Sequence, residues 1–277
     1  MSDAPRRDGG PGFSDALTFA FADAEGDVCG VARLGLAGDG ASGLVVVFRG
    51  GEPVALRADG EGAPAERWED LRVAGLQTSG DGPWRVAFDG DVPFELTFTP
   101  IGAPIALDPD SPAAKAGGMQ GVDHVCRVTG TVGGAAFAGL GQRGRSWGTP
   151  DWDRMRLART LNAWFDDEHA LSLVAIRPAK AKSHADEHVS AALMQGGEAA
   201  PVADARLSTT YDAEERQRAA GLELYVGAED EYAARAAGEV VAGTSLDLGR
   251  LRLDCAFFRW RMQGREGVGR YDVLRRV

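Results

Sequence analysis

Gly139-Leu140-Gly141-Gln142-Arg143-Gly144-Arg145-Ser146-Trp147-Gly148-Thr149-Pro150-Asp151-Trp152 is the stretch on which the fold reading turns. Its last ten residues hold two tryptophans, two arginines, two glycines and one aspartate. Trp needs an apolar bed and an acceptor for its N–H, while Arg can stack on Trp and pair with a carboxylate. A latch between two barrels meets these demands, and so does a pocket rim. The run also matches GxGxxG, but it lacks the strand-then-helix setting that a dinucleotide site requires.

Outward from this stretch the dominant pattern is period-2 alternation broken by turn residues, which predicts antiparallel sheets. Leu17, Phe19 and Phe21 share one strand face, as do Phe94, Leu96 and Phe98, and Val125 to Thr129 is rich in β-formers. Gly38-Asp39-Gly40, Gly50-Gly51, Asp59-Gly60, Asp81-Gly82, Asp89-Gly90 and Gly133-Gly134 mark turns. Residues 101–121, with several prolines, glycines and aspartates, read as a long exposed connection able to act as a lid. After Trp152, strands are expected at 160–164, 171–176, 188–194, 205–211, 222–226, 239–246, 251–262 and 268–273. Short helices are conceivable only at 213–220 and 230–237. Leu251, Leu253, Cys255 and Phe257 share one face, but the apolar series then crosses to Phe258, Trp260 and Met262, which predicts a β-bulge or bend near Phe257.

At 277 residues the chain suits two medium domains, and its 41 acidic against 30 basic side chains give a net charge of −11. That charge disfavours nucleic acid as a partner, and the short basic clusters form no stripe. Cys29, Cys126 and Cys255 are odd in number and lack CxxC spacing, so neither a disulfide framework nor a zinc site is expected. Residues 1–12 are polar, and no apolar run is long enough to span a bilayer, so integral membrane association is not expected and a cytoplasmic location is. The sequence does not disclose an oligomeric state.

GxxxxGK[ST], HExxH and GxSxG are missing. His184 and His188 have the i,i+4 spacing of a helical metal pair but sit at a loop and strand start, where that spacing separates them. His124 and His169 begin strands, and either could face a cavity or solvent. Candidate proton donors are Asp151, Asp153, Asp166, Asp167, Glu168 and Asp254; a carboxyl group becomes useful near neutral pH only when burial or like charge raises its pKa. Asp151 stands out because Trp147 and Trp152 flank it and could desolvate it; an ion pair with a nearby Arg is the alternative.

Gly141, Arg143, Ser146, Trp147, Gly148, Asp151 and Trp152 resemble the signature of the AttH-like family related to carotenoid 1,2-hydratase (hydroxyneurosporene synthase), in which a Gly-x-Arg-Asp-His-Ser-Trp-Gly-x-Arg-Asp-Trp run joins two half-chains. Cys126 to Val132 and Gly267 to Asp272 resemble that family's strand before the motif and its closing strand. The likeness covers about Asp123 to the C-terminus in motif and the remainder in strand character. Arg145 stands where the family has His, Gly144 where it has Asp, and Pro150 where it has Arg.

The resemblance implies an all-β fold of two lipocalin-like antiparallel β-barrels in tandem, divided here as 1–140 and 141–277. It further implies a cavity for an apolar small molecule, and a hydratase, isomerase or cyclase acting on an isoprenoid or polyene-like compound without cofactor or metal. In that reading Asp151 is the catalytic acid, and Arg143, Arg145, Trp147, Trp152, Trp164, Trp260 and His124 bind the ligand. The alternatives are a non-catalytic carrier of a hydrophobic metabolite and an accessory protein with a filled core.

Overall fold

The computed structural model describes residues 4–6, 9–80, 82–227 and 232–277, and it divides into two compact units. The first comprises residues up to 101 together with 119–150; the second comprises 102–118 together with 151–277. The boundary therefore falls ten residues beyond the expected 140. The reason is local: the strand holding most of the Trp147 segment stays paired in the first sheet as far as Gly148.

In the first unit, β1 (Ser14–Ala22), β2 (Val28–Ala37), β3 (Gly40–Arg49) and β4 (Glu52–Gly62) form an antiparallel meander, followed by β5 (Leu76–Ser79), β6 (Trp84–Phe88) and β7 (Phe94–Pro100). The chain then contributes β8 (Ile105–Leu107) and the helix α1 (Pro112–Gly117) to the second unit, before β9 (Met119–Val132) and β10 (Ala135–Gly148) complete the first. The order is β4-β3-β2-β1-β10-β9-β7-β6-β5, so the last strand returns to the first and the sheet curls into a barrel.

The second unit repeats this plan. It contains β11 (Met155–Trp164), β12 (Ala170–Pro178), β13 (His188–Gln195), β14 (Glu198–Pro201), β15 (Asp204–Tyr211), β16 (Gln217–Tyr225), β17 (Ala234–Asp247), β18 (Leu251–Met262) and β19 (Arg265–Arg276). They run β14-β13-β12-β11-β19-β18-β17-β16-β15, with β19 returning to β11. The two units thus share one topology without a visible sequence repeat.

Register places the alternating residues. Leu17, Phe19 and Phe21 pair with Leu34, Ala32 and Gly30 on one side and with Arg145, Arg143 and Gly141 on the other, all on the interior face. Phe94, Leu96, Phe98, Val86 and Phe88 join them in one buried cluster with Trp68, Leu71 and Val73 from the β4–β5 connection. Two-residue turns with positive φ at both glycines, Gly133-Gly134 at 59° and 80°, fix the β9–β10 hairpin register. The interior of the second barrel is filled by Phe258, Trp260, Tyr271, Leu161, Leu173 and Leu222 among others.

Four expectations change; the first is that Asp59-Gly60 is no turn but lies within β4, at a shift of its register with β3. Residues 102–118 are not a free lid: Ala103 N–H donates to Gly197 O at 2.7 Å, and Ala113 packs on Met155 and Ile176. The helix expected at 213–220 is a turn followed by β16, and of 230–237 the residues from Ala234 onward are strand; residues 230 and 231 lie outside the described residues. Asp81 of the expected Asp81-Gly82 turn lies outside them too. The predicted bulge exists but on the neighbouring strand: Val240 pairs with Phe258 and Ala242 with Phe257, leaving one extra residue in β17. β18 itself keeps unbroken register with β19, and its apolar series changes face because Leu253 to Phe258 are buried on both sides. No helix among the described residues is long and apolar enough to cross a membrane.

Candidate functional site

The first barrel contains a cavity of 410 Å³, within the range of small-molecule sites. Leu17 on β1, Trp84 on β6 and Trp68 on the short 3₁₀ turn between β4 and β5 form its apolar walls. Thr78 and Ser79 on β5 add hydroxyls, Arg67 and Glu69 form an ion pair at its border, and Ala4 closes part of it.

Beside this cavity lies a buried polar cluster built by strand parity. Asp15, Arg143 and Arg145 occupy interior positions where the flanking positions are apolar, at 0%, 3% and 6% exposure. Arg145 Nε and Nη2 donate to Asp15 Oδ1 and Oδ2 at 3.1 and 2.7 Å. The same pair holds the N-terminal segment: Arg145 Nη2 also donates to Ala4 O at 2.7 Å, and Arg6 N–H donates to Asp15 Oδ2 at 2.7 Å. The Arg6 guanidinium lies 4.0 Å from the Trp147 ring centroid, and Trp147 Nε1 donates to Gln120 Oε1 at 3.1 Å. Ala4 is thereby fixed as a wall of the cavity.

Arg143 carries its guanidinium 4.4 Å from the centroid of Trp84, whose ring lies 5.3 Å from that of His124. His124 faces Arg143 across the β9–β10 pair. The Cys126 thiol, two residues on, donates to His124 O at 3.2 Å, and burial pushes its pKa up to about 12. It is a core thiol rather than a nucleophile.

Arg143, Arg145, Trp147 and His124 thus share the interior face of one sheet. The remaining expected residues belong to the second unit. Trp260 is 0% exposed, stacked on Phe258 with centroids 5.5 Å apart, and fills the second barrel rather than lining a space. Trp164 is buried on the face of β11 opposite the barrel interior, and Trp152 packs against the Ala113, Met155 and Ile176 cluster. Asp151 is exposed, and its Oδ1 accepts from Asp153 N–H at 3.0 Å. The desolvation that flanking tryptophans were expected to give it is absent, because Trp147 is tied into the first sheet and Trp152 into the helix α1 cluster.

Three of the other acidic candidates are engaged as well. Asp153 pairs with Arg250 and Arg276, Asp166 with His169 at 2.7 Å, and buried Asp254 with Arg252, Arg275 and Ser245. For Asp166, partial burial is outweighed by hydrogen bonds from His169 and Glu168, which hold its carboxyl below the usual range. Of the His184 and His188 pair, the side chain of His184 lies outside the described residues, and no metal-binding cluster occurs among the described ones.

Sequence reading missed Trp68, Trp84, Thr78 and Asp15. It also missed a second buried network in the other barrel. There Arg159 donates to Glu187 through both Nε and Nη2 and to Thr209 Oγ1 at 2.9 Å, while Thr209 and the Tyr271 hydroxyl lie 2.6 Å apart. Asp15 and Arg159 had a faint signal, as charged residues at core-parity positions in apolar strands. Trp68 had none, since it lies in a connection with no period.

These features define a class: tandem lipocalin-like antiparallel barrels, the first with a small-molecule-sized cavity. The chain belongs to the family described as a domain of unknown function, DUF7064, whose model matches residues 3–277. Its fold is similar to that of an AttH protein (NE1406) from Nitrosomonas europaea, with a TM-score of 0.71 at 13% identity over 96% of this chain and 93% of that one. It is also similar to CghA solved with Sch210972 (TM-score 0.66, 13% identity, 99% and 94% covered). Kievitone hydratase from Nectria haematococca follows at a TM-score of 0.61, 10% identity, with 94% and 88% covered. These likenesses establish the fold, in agreement with the AttH-like character of the Trp147 segment. No curated protein matches the sequence.

Proposed function

We propose that this protein is a cofactor-independent hydratase, isomerase or cyclase that holds an apolar, isoprenoid or polyene-like small molecule in the cavity of its first barrel. The observation that carries this reading is the 410 Å³ cavity walled by Leu17, Trp68 and Trp84, with the hydroxyls of Thr78 and Ser79 beside it. A few polar groups in an apolar cleft orient a ligand. The relatives named as a hydratase and as a protein solved with a small molecule support the same class, by analogy of fold. Three buried free thiols suit a reducing cytoplasm.

In this reading the barrel folds the substrate against the two tryptophans, and Arg143 and His124 supply polarity beyond Trp84. One face of Trp84 already carries a guanidinium, which disfavours a second cation on that ring. Polarisation of a substrate oxygen therefore suits this cavity better than formation of a free carbocation. Asp151, outside the first barrel, is retained as a proton donor only if its replacement abolishes turnover.

A carrier without catalysis is the second reading, favoured by the commitment of both Asp15 oxygens to Arg145 and Arg6. Small molecules released from the purified protein, and metabolite extracts incubated with it, should be compared by mass spectrometry. An enzyme depletes one apolar compound and forms an isomer or hydrate, whereas a carrier returns its ligand unchanged. If Leu17→Trp, which fills the cavity, leaves capture and conversion intact, the cavity is not the site.

A further inference from the structure

The residues lining the cavity divide by exposure. Leu17, Trp68, Thr78 and Trp84 are buried and form its floor, whereas Ala4, Arg67 and Gly80 are exposed and form its mouth. Leu17, Thr78 and Trp84 cannot move without breaking strand pairing, and Trp68 belongs to the buried apolar cluster. Ala4 is placed differently. Arg145 Nη2 donates to its carbonyl oxygen, Arg6 N–H donates to Asp15 Oδ2, and the Arg6 guanidinium lies over Trp147, so side chains of β1 and β10 hold residues 4–6 against the sheet. None of these three residues is itself buried, and the polar contacts work against the entropy of ordering a chain end. The dock does not depend on the segment, because Asp15 and Arg145 are joined to each other through Nε and Nη2. Between segment and β1 lies an exposed turn over residues 9–12, closed by Phe13 N–H donating to Gly10 O at 3.2 Å, with Gly10 and Gly12 at φ of 73° and 81°. It brings Arg6 back beside Asp15.

Resting on the cavity as the ligand site, we infer that residues 4–6 are its gate: they undock from Asp15, Arg145 and Trp147 by bending at Gly10 and Gly12, admit the ligand past Ala4, and close behind it. Undocking breaks no strand pairing and leaves the buried Asp15–Arg145 pair in place to receive the segment again. Closure of such a segment over a bound molecule governs how fast the molecule enters and leaves.

The test uses the full chain and N-phenyl-1-naphthylamine, a neutral apolar dye whose emission rises on leaving water, in stopped-flow mixing with wild type, Arg6→Pro, Arg6→Ala and the cavity-filling Leu17→Trp. Arg6→Pro removes the N–H that Asp15 accepts, whereas Arg6→Ala keeps it and loses the contact with Trp147. In the wild type the observed association rate should level off at high dye concentration, at the opening rate of the segment. Arg6→Pro should raise both that plateau and the dissociation rate by at least about tenfold, and Arg6→Ala should raise both by about threefold. The dissociation constant should stay within about threefold, because the docked segment is weakened alike in empty and filled protein. If Leu17→Trp blocks the dye but Arg6→Pro leaves both rates within about twofold, or raises dissociation alone, residues 4–6 are a fixed wall and the gate inference fails while the cavity stands as the site. Should Arg6→Pro not fold, a wild-type rate without a plateau, or Arg6→Ala rates equal to wild type, overturns the inference in the same way. If the dye does not bind the wild type, or binds Leu17→Trp equally well, the cavity reading and the inference fall together.

Discussion

Arg145 and Asp15, 130 positions apart in sequence, meet on adjacent strands of the first barrel as a two-point ion pair with distances of 3.1 and 2.7 Å. Both side chains are almost fully withdrawn from water, at 5% and 0% exposure. Arg145 occupies the position where the resembling family carries His, and its Nη2 donates in addition to Ala4 O. A histidine ring cannot span Asp15 and Ala4 with the planar fork of a guanidinium. The substitution thus couples the N-terminal segment to the cavity wall.

Removing one partner leaves the other charge buried, so Arg145→Ala should cost about 3–5 kcal/mol in urea unfolding. Replacing both, as Arg145→Leu with Asp15→Leu, should recover most of that loss, because a desolvated pair contributes little net stability over apolar residues. A single variant as stable as wild type would show that Asp15 is not held as a buried carboxylate.

Gly238 lies opposite Trp260 on β17, and a Cβ there would stand 2.6 Å from the indole ring. Trp260 is enclosed and cannot swing away, so Gly238→Ala should destabilise by about 1–3 kcal/mol through overpacking. Gly60→Ala, where a Cβ meets nothing within 4 Å, serves as the comparison and should shift the thermal midpoint little.

Burial pushes the Cys29 and Cys126 thiols up from 9.0, for Cys126 to about 12, with the carboxylates of Asp23 and Asp27 adding to the effect at Cys29. Both folded-state values exceed the unfolded ones, so their stabilisation is complete below about pH 9 and is lost as pH rises toward 12. Each thiol should contribute a fall of about 1.4 kcal/mol per pH unit in that window. Burial also raises Tyr271, which joins the decline above its ordinary value of 10.0. Denaturation curves between pH 8 and 11 should be shallower in Cys126→Ala, and native protein should leave all three thiols unreactive to a disulfide reagent until denaturant is added.

Asp151→Asn keeps the side-chain oxygen that accepts from Asp153 N–H, so stability should change by no more than about 0.5 kcal/mol. Ligand capture should be unchanged as well. A loss of turnover on an identified substrate, with the fold intact, would assign proton transfer to Asp151 after all.

The route from sequence to site shows where local rules hold. Alternation along Leu17-Phe19-Phe21 and Phe94-Leu96-Phe98 names core-facing residues correctly, because strand parity is a local property. The glycine pairs mark hairpins correctly, because positive φ at both turn positions excludes most other residues. Parity fails at 213–220, where charged helix-formers lie in a turn and then in β16, and pairing with β15 and β17 overrides their intrinsic preference.

The Trp147 segment was expected to hold Asp151, both tryptophans and both arginines in one site. Its first ten residues, Gly139–Gly148, lie in β10, which places Arg143 and Arg145 inside the first barrel, while Asp151 and Trp152 begin the second unit. A turn beyond Gly148 separates them, and sequence proximity carries no information about which side of that turn a side chain serves.

By itself the sequence determined the all-β class, the tandem strand-rich halves and the core-facing parity of Leu17, Phe19, Phe21, Phe94, Leu96 and Phe98, since these follow from dihedral preference and a period of two. Only the tertiary structure decided that Asp15 neutralises Arg145, that Trp68 from an aperiodic connection and Trp84 from β6 wall one cavity, and that Asp151 remains in water. Those facts depend on which distant strands lie side by side, and burial, hydrogen-bond partners and charge environment exist only once those strands have paired.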